Sequence, residues 1–163
     1  MINKSIVVLD LETAYSADDC KHCGTAESTH ALHGYCSAPS IRGSFMGTGT
    51  KYQKFGWDNK LALGLSIGCY YDYRDSLMHW FDVYTLEKTV RGFVETKPLI
   101  VSFNGISFDF ELMRGLLQQQ GERDREQSLM DSSHSSRFIY LPVLCDAFKI
   151  LCATSYDILA EIW

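Results

Sequence analysis

Short apolar runs alternate with longer polar stretches along the chain. Ser5–Leu11 is apolar, rich in β-formers and too short for a helix, which predicts a buried strand. From about residue 14 to residue 57 the pattern turns polar and rich in Gly, Ser and Thr, as expected of a long insertion or loop. Two apolar, aromatic segments follow, Leu61–Tyr71 and Leu77–Tyr84. The intervening Asp72-Tyr73-Arg74-Asp75-Ser76 predicts that they pair as an antiparallel hairpin. Thr85 can cap a helix running to about Glu95, and Lys97-Pro98 stops it. Leu99–Phe103 reads as a second buried strand. A turn at Asn104-Gly105 leads into a helix over about Ser107–Gln120, with Phe108, Leu112 and Leu116 at helical spacing. Gly121–Ser136 is polar and predicts an exposed connection, Pro142 precedes a last apolar stretch, and Tyr156–Trp163 opens a helix. The order β, insertion, β, β, α, β, α predicts an α/β fold with a mixed sheet flanked by helices.

The 163 residues suit one domain, residues 1–163, with residues 14–57 as an inserted loop or small subdomain. With 46% hydrophobic and 21% charged residues the chain can form a core and is not of the disordered class. No apolar run approaches the roughly 20 residues that span a bilayer, and no secretory segment opens the chain, so a soluble, cytoplasmic protein is expected. The net charge of −5 argues against a generic DNA-coating protein but not against a nuclease, whose metal-holding carboxylates make the site itself acidic.

Candidate chemistry begins at Asp10 and Glu12. Two apart on a strand, they project from one face, and two close carboxylates repel unless a cation lies between them. Hard oxygen donors of this kind suit Mg²⁺ or Mn²⁺. A solvated Asp-x-Glu at a strand end is the plainer alternative. Asp109 strengthens the metal reading. It lies on the first turn of the helix after the Leu99–Phe103 strand, and a strand parallel to the first would bring it to the sheet end that carries Asp10.

In the insertion, Cys20, Cys23, His30, His33 and Cys36 form Cys-x2-Cys-x6-His-x2-His-x2-Cys. Tetrahedral zinc takes four N or S ligands, and Cys20, Cys23 and Cys36 with either histidine would supply them. A loop with incidental Cys and His is the alternative. Cys69, Cys145 and Cys152, in apolar surroundings, read as buried core thiols. Arg42, Lys51 and Lys54 alternate with Phe45, Tyr52 and Phe55, either as a single-strand groove or as a solvated loop.

Val7-Val8-Leu9-Asp10-Leu11-Glu12-Thr13 resembles the first motif, Asp-x-Glu-Thr, of the DEDD (DnaQ-like) 3′–5′ exonucleases of the ribonuclease H-like superfamily. Phe103-Asn104-Gly105-Ile106-Ser107-Phe108-Asp109 is similar to their second motif, Asn-x-x-x-Phe-Asp. The hairpin and helix between the motifs also fit, and the resemblance covers most of residues 4–117. It implies a ribonuclease H-like fold and two-metal hydrolysis of single-stranded DNA or RNA from the 3′ end. By the match Asp10 would be shared between two Mg²⁺ or Mn²⁺ ions, Glu12 would bind one, and Asp109 would contribute from the second motif. Thr13, Asn104 and Phe108 would shape the nucleotide end, with Phe108 packing beneath the helix.

The family's third motif, Tyr-x-x-x-Asp or His-x-x-x-x-Asp, does not follow Asp109. His134 is followed five residues later by Ile139, Tyr140 four later by Leu144, and Tyr156 four later by Ala160. Asp146 or Asp157 could substitute, although Ser155–Glu161 resembles the segment that precedes the third motif in phage and bacterial relatives. The expectation is therefore a C-terminally incomplete nuclease, of phage or mobile-element type, whose fourth carboxylate comes from a separate fragment or partner. The alternative is an inactive nuclease fold that binds nucleic acid or a protein partner, and a zinc-stapled interaction module is a third possibility.

Overall fold

A computed structural model describes residues 5–16, 35–36, 50–51, 56–130 and 137–162. The chain divides into two compact units. One comprises Met1–Glu12 with Leu65–Trp163, and the other is Thr13–Gly64.

The larger unit is a five-stranded mixed sheet flanked by helices. Its strands are β1 (Ile6–Thr13, whose last residue belongs to the other unit), β4 (Leu65–Asp72), β5 (Leu77–Phe81), β6 (Leu99–Ser102) and β7 (Tyr156–Asp157), in the order β5-β4-β1-β6-β7. β4 and β5 form the expected antiparallel hairpin, in register from Gly68↔Phe81 to Asp72↔Leu77. β6 runs parallel to β1, with Leu9 opposite Ser102, and β7 runs parallel to β6, with Ser102 opposite Asp157. The end of β4 meets the start of β1: Ser5 Oγ donates to Asp72 Oδ1 at 2.5 Å and the Tyr73 N–H to the Ile6 carbonyl at 3.0 Å. These two strands are therefore antiparallel.

β1 is not the fully buried strand that its composition suggests. Val7, Leu9 and Leu11 are buried, whereas Ile6 and Val8 are 41% and 40% exposed. A continuous apolar run shows β-preference but not how many faces are covered, and among the described residues helices pack on the face of Val7 and Leu9. Tyr70 packs on Phe93 with ring centroids 4.9 Å apart, so Ile67, Cys69 and Tyr71 of β4 share the open face, while Leu65 at the start of the strand is buried in the core. Ile67, Met78, Trp80 and Tyr156 are exposed there as well.

α2 (Leu86–Thr96) follows β5. Thr85 occupies the N-cap position but makes no side-chain cap. Its hydroxyl bonds instead to Asp82, whose carboxylate also accepts the Tyr84 and Thr85 amides, and this turn ends β5 at Phe81. Lys97, in the left-handed conformation at φ 48°, closes the helix through its N–H to the Phe93 carbonyl, and Pro98 prevents continuation.

After β6 come a π-helical turn (Gly105–Asp109), α3 (Phe110–Met130) and α4 (Arg137–Cys152). Residues 121–130, expected to be a connection, are helical. Glu, Arg, Gln, Leu and Met are good helix formers, and polarity reports exposure, not backbone conformation. Pro142 lies inside α4, not ahead of it. The core joins Val7, Leu9 and Ile100 of the sheet to Val90 and Phe93 of α2, Leu112, Met113 and Leu117 of α3, and Leu141, Leu144 and Phe148 of α4. Tyr156 and Asp157 form the short edge strand β7, and helix α5 (Ile158–Ile162) begins only after it.

In the smaller unit Leu61–Leu63 is not strand. α1 (Lys60–Leu63) forms because Asn59 Oδ1 accepts the Ala62 amide, and Gly64, at φ 65°, ends it. The amides of Ala14 and Tyr15 donate to the carbonyls of Gly64 and Leu63. β2 (Tyr35–Cys36) and β3 (Thr50–Lys51) pair antiparallel. Cys20, Cys23, His30, His33, Arg42, Phe45, Tyr52, Lys54 and Phe55 lie outside the described residues; Cys36 and Lys51 are described in backbone only.

Candidate functional site

β6 ends at Ser102, opposite Leu9, and the parallel strand β1 runs on past it through Asp10 and Glu12 to Thr13; ligands of open α/β sheets bind beyond such carboxyl ends. Asp10 and Glu12 stand on the open face of β1, both exposed. Cys69, on the open face of the neighbouring β4, feels both carboxylates. Burial first, then Asp10 and Glu12, raises its thiol above the ordinary 9.0. It is only partly buried, unlike the core thiol expected there, whereas Cys145 and Cys152 are buried and burial pushes Cys152 up to about 12.

Asp109 reaches the same region through the turn after β6. Asn104 leaves the strand in the left-handed region at φ 62°, which Asn tolerates better than most residues. Gly105 must then pass against Ser102. A Cβ at that position would lie 1.9 Å from Ser102 Oγ and 2.6 Å from its Cβ, so only glycine fits. The five residues Gly105–Asp109 form a π-helical turn, a widened geometry that recurs at functional sites. At its end Asp109 is 4% exposed, and its Oδ2 is buried with no hydrogen-bond partner among the described residues. Desolvation, followed by the charges of Asp10 and Asp157, pushes this carboxyl up from 3.8 to about 7.

Asp157, 4% exposed, is engaged by backbone donors. Its Oδ1 accepts the amides of Asn104 at 2.9 Å and Leu159 at 3.0 Å, and its Oδ2 accepts the amide of Ile106 at 2.9 Å. Its place on the sequence suggested a substitute metal ligand; its contacts are those of a clamp on the turn. Nothing local in Ser155-Tyr156-Asp157 signals this, because two of the three donors are more than fifty residues away.

The structure thus brings Asp10 and Asp157 each into electrostatic reach of Asp109, with Glu12 on the face of Asp10. Among the described residues, no group of three or more His, Cys, Asp and Glu is arranged to hold a metal ion. The donor chemistry nevertheless suits a hard cation. Asp10 and Asp109 would hold it, the orphaned Asp109 Oδ2 would gain a partner, and Glu12 is the next available oxygen donor. Phe108 is partly buried against the core, as expected. Thr13 Oγ1 donates within its own turn to the Tyr15 carbonyl at 2.9 Å. Asp146 is exposed on α4.

On the covered face, a cleft of about 390 Å³ lies between the hairpin and α2, lined by Tyr70, Arg74, His79, Lys88 and Thr89 among others. Two of its basic groups are already engaged, Arg74 with Asp72 at 3.2 Å and His79 with Asp75 at 2.9 Å.

No protein-family model, curated protein or solved structure matches the chain.

Proposed function

We propose that the protein is a metal-dependent 3′–5′ exonuclease of ribonuclease H-like fold, acting on single-stranded DNA or RNA. The observation that carries this reading is the buried Asp109 carboxyl oxygen, unpartnered among the described residues and repelled by Asp10, where β6 ends alongside β1. A buried carboxylate without a donor, repelled by two others, is costly unless a proton or a cation neutralises it. The mixed sheet also supports the reading. A hairpin follows the strand that bears Asp10 and Glu12, and the segment resembling the second motif follows a strand parallel to it.

A divalent ion held by Asp10 and Asp109, with Glu12 beside it, would polarise a phosphate oxygen and lower the pKa of a bound water. The protein's own part is to fix the carboxylates on rigid strand ends and on a turn clamped from behind. The open apolar face next to Asp10, with Val8, Ile67 and Trp80 exposed, offers surface on which unpaired bases can lie.

The departure from the family's third motif after Asp109 favours a second reading, a nuclease fold that binds nucleic acid without cutting it. One experiment separates the two. A 5′-labelled single strand is incubated with Mn²⁺ and either the protein or its Asp10→Ala/Glu12→Ala variant. A ladder shortening from the 3′ end, lost in the variant, supports the exonuclease. Binding without cleavage by the folded protein supports the second reading.

A further inference from the structure

We propose that Asp157 is a positioning residue, whose carboxylate clamps the π-helical turn so that Asp109 is held against Asp10. The inference rests on the reading of Asp10 and Asp109 as a cation-holding pair and adds a residue to it.

The turn between β6 and α3 has a donor problem. The first amides of a helical segment have no partner within it, and a turn closed by widened hydrogen bonds is weakly held. The amides of Asn104 and Ile106 flank Gly105, the residue forced closest to Ser102, and both donate to Asp157, one to each oxygen. A carboxylate that accepts several amides makes stronger hydrogen bonds than a neutral acceptor would. β7 itself has only two paired residues, Val101↔Tyr156 and Ser102↔Asp157. The carboxylate therefore extends the grip of this edge strand beyond the end of β6, onto the segment that delivers Asp109.

Asp157 also loads the turn electrostatically. It is buried, and its charge acts on Asp109 together with that of Asp10. A cation entering between Asp10 and Asp109 would be drawn by all three, although Asp157 keeps its oxygens on the amides. The competing explanation is local: Asp157 accepts the Leu159 amide and could serve only to start α5. That role needs one oxygen. The contacts to Asn104 and Ile106 need two oxygens at carboxylate reach, which a serine lacks.

The test compares wild type, Asp157→Ser and Asp157→Asn by amide hydrogen exchange and by Mn²⁺ titration. Serine keeps the helix start but cannot span both remote amides. Asparagine keeps one acceptor and the shape. We expect Asp157→Ser to speed exchange at Asn104 and Ile106 by at least tenfold while Ile100 and Leu112, in the core, change little. Mn²⁺ binding should weaken by ~10–100-fold, the usual effect of losing a group that orients a ligand. Asp157→Asn should fall between wild type and serine in both readouts. Unchanged protection at Asn104 and Ile106 in Asp157→Ser would overturn the clamp. Lost protection with unchanged Mn²⁺ affinity would overturn the positioning of Asp109. A wild-type protein that binds no Mn²⁺ would sink the cation reading alone, and the exchange data would then decide the clamp. If Asp157→Ser fails to fold, Asp157→Asn carries both measurements, with loss at Ile106 or Asn104 and weaker Mn²⁺ binding as the expected result.

Discussion

Asp109 makes the stability of this protein depend on pH in the direction opposite to that of most aspartates. Its carboxyl is raised from 3.8 to about 7, chiefly by desolvation and further by Asp10 and Asp157. The folded state therefore binds the Asp109 proton more tightly than the unfolded chain, and stability falls as pH rises between these two values. The full displacement corresponds to roughly 4 kcal/mol at ~1.36 kcal/mol per pH unit, of which about 3 kcal/mol falls between pH 5 and pH 8. Asp109→Asn removes the titration while preserving the shape. Urea unfolding of both chains from pH 5 to pH 8 should show wild type losing about 3 kcal/mol relative to the variant. Taking the difference cancels contributions common to both chains. Saturating Mn²⁺ should flatten the wild-type curve and leave the variant nearly unaffected. A difference constant to within ~0.5 kcal/mol across that range would refute the account of Asp109 as a buried, repelled carboxyl.

Leu9→Ala should destabilise the fold by ~2–5 kcal/mol, whereas Val8→Ala, next to it on the open face, should cost less than ~1 kcal/mol; equal losses in chemical denaturation would mean that both faces of β1 are covered. Gly105→Ala should displace the turn against Ser102 and abolish Mn²⁺ binding before it unfolds the sheet, as read by titration beside circular dichroism; an unchanged affinity would show that the close approach is not needed. Asp72 behaves in the ordinary sense. Burial alone would raise it, but the Ser5 hydroxyl, the Arg74 amide and guanidinium, and His79 hold it below 3.8. Its contribution is thus present above 3.8 and lost as pH falls below that value. Ser5→Ala should unfold at a higher pH than wild type in an acid titration, and an unmoved midpoint would remove Ser5 from this account.

Much of the framework follows from local rules in the sequence alone. The hairpin was legible because Leu65–Asp72 and Leu77–Phe81 are β-rich and flank a polar turn. α2 was legible because Lys97-Pro98 cannot continue a helix, and the place of Asp10 and Glu12 on one strand face because side chains alternate. Helix α3 was only half legible: a polar run and a helix are not exclusive, and exposed Glu, Arg and Gln favour the helix. What depends on distant chain segments could be decided only by the tertiary structure. Whether β1 is covered on one face or two depends on where α2, α3 and α4 pack, not on its own residues. The raised carboxyl of Asp109 arises from burial and from charges that lie far away in sequence. The role of Asp157 depends on amides supplied by residues 104 and 106, brought to it by the Ser102↔Asp157 pairing. Periodicity specifies which way a side chain points; only the packed sheet specifies what it meets there.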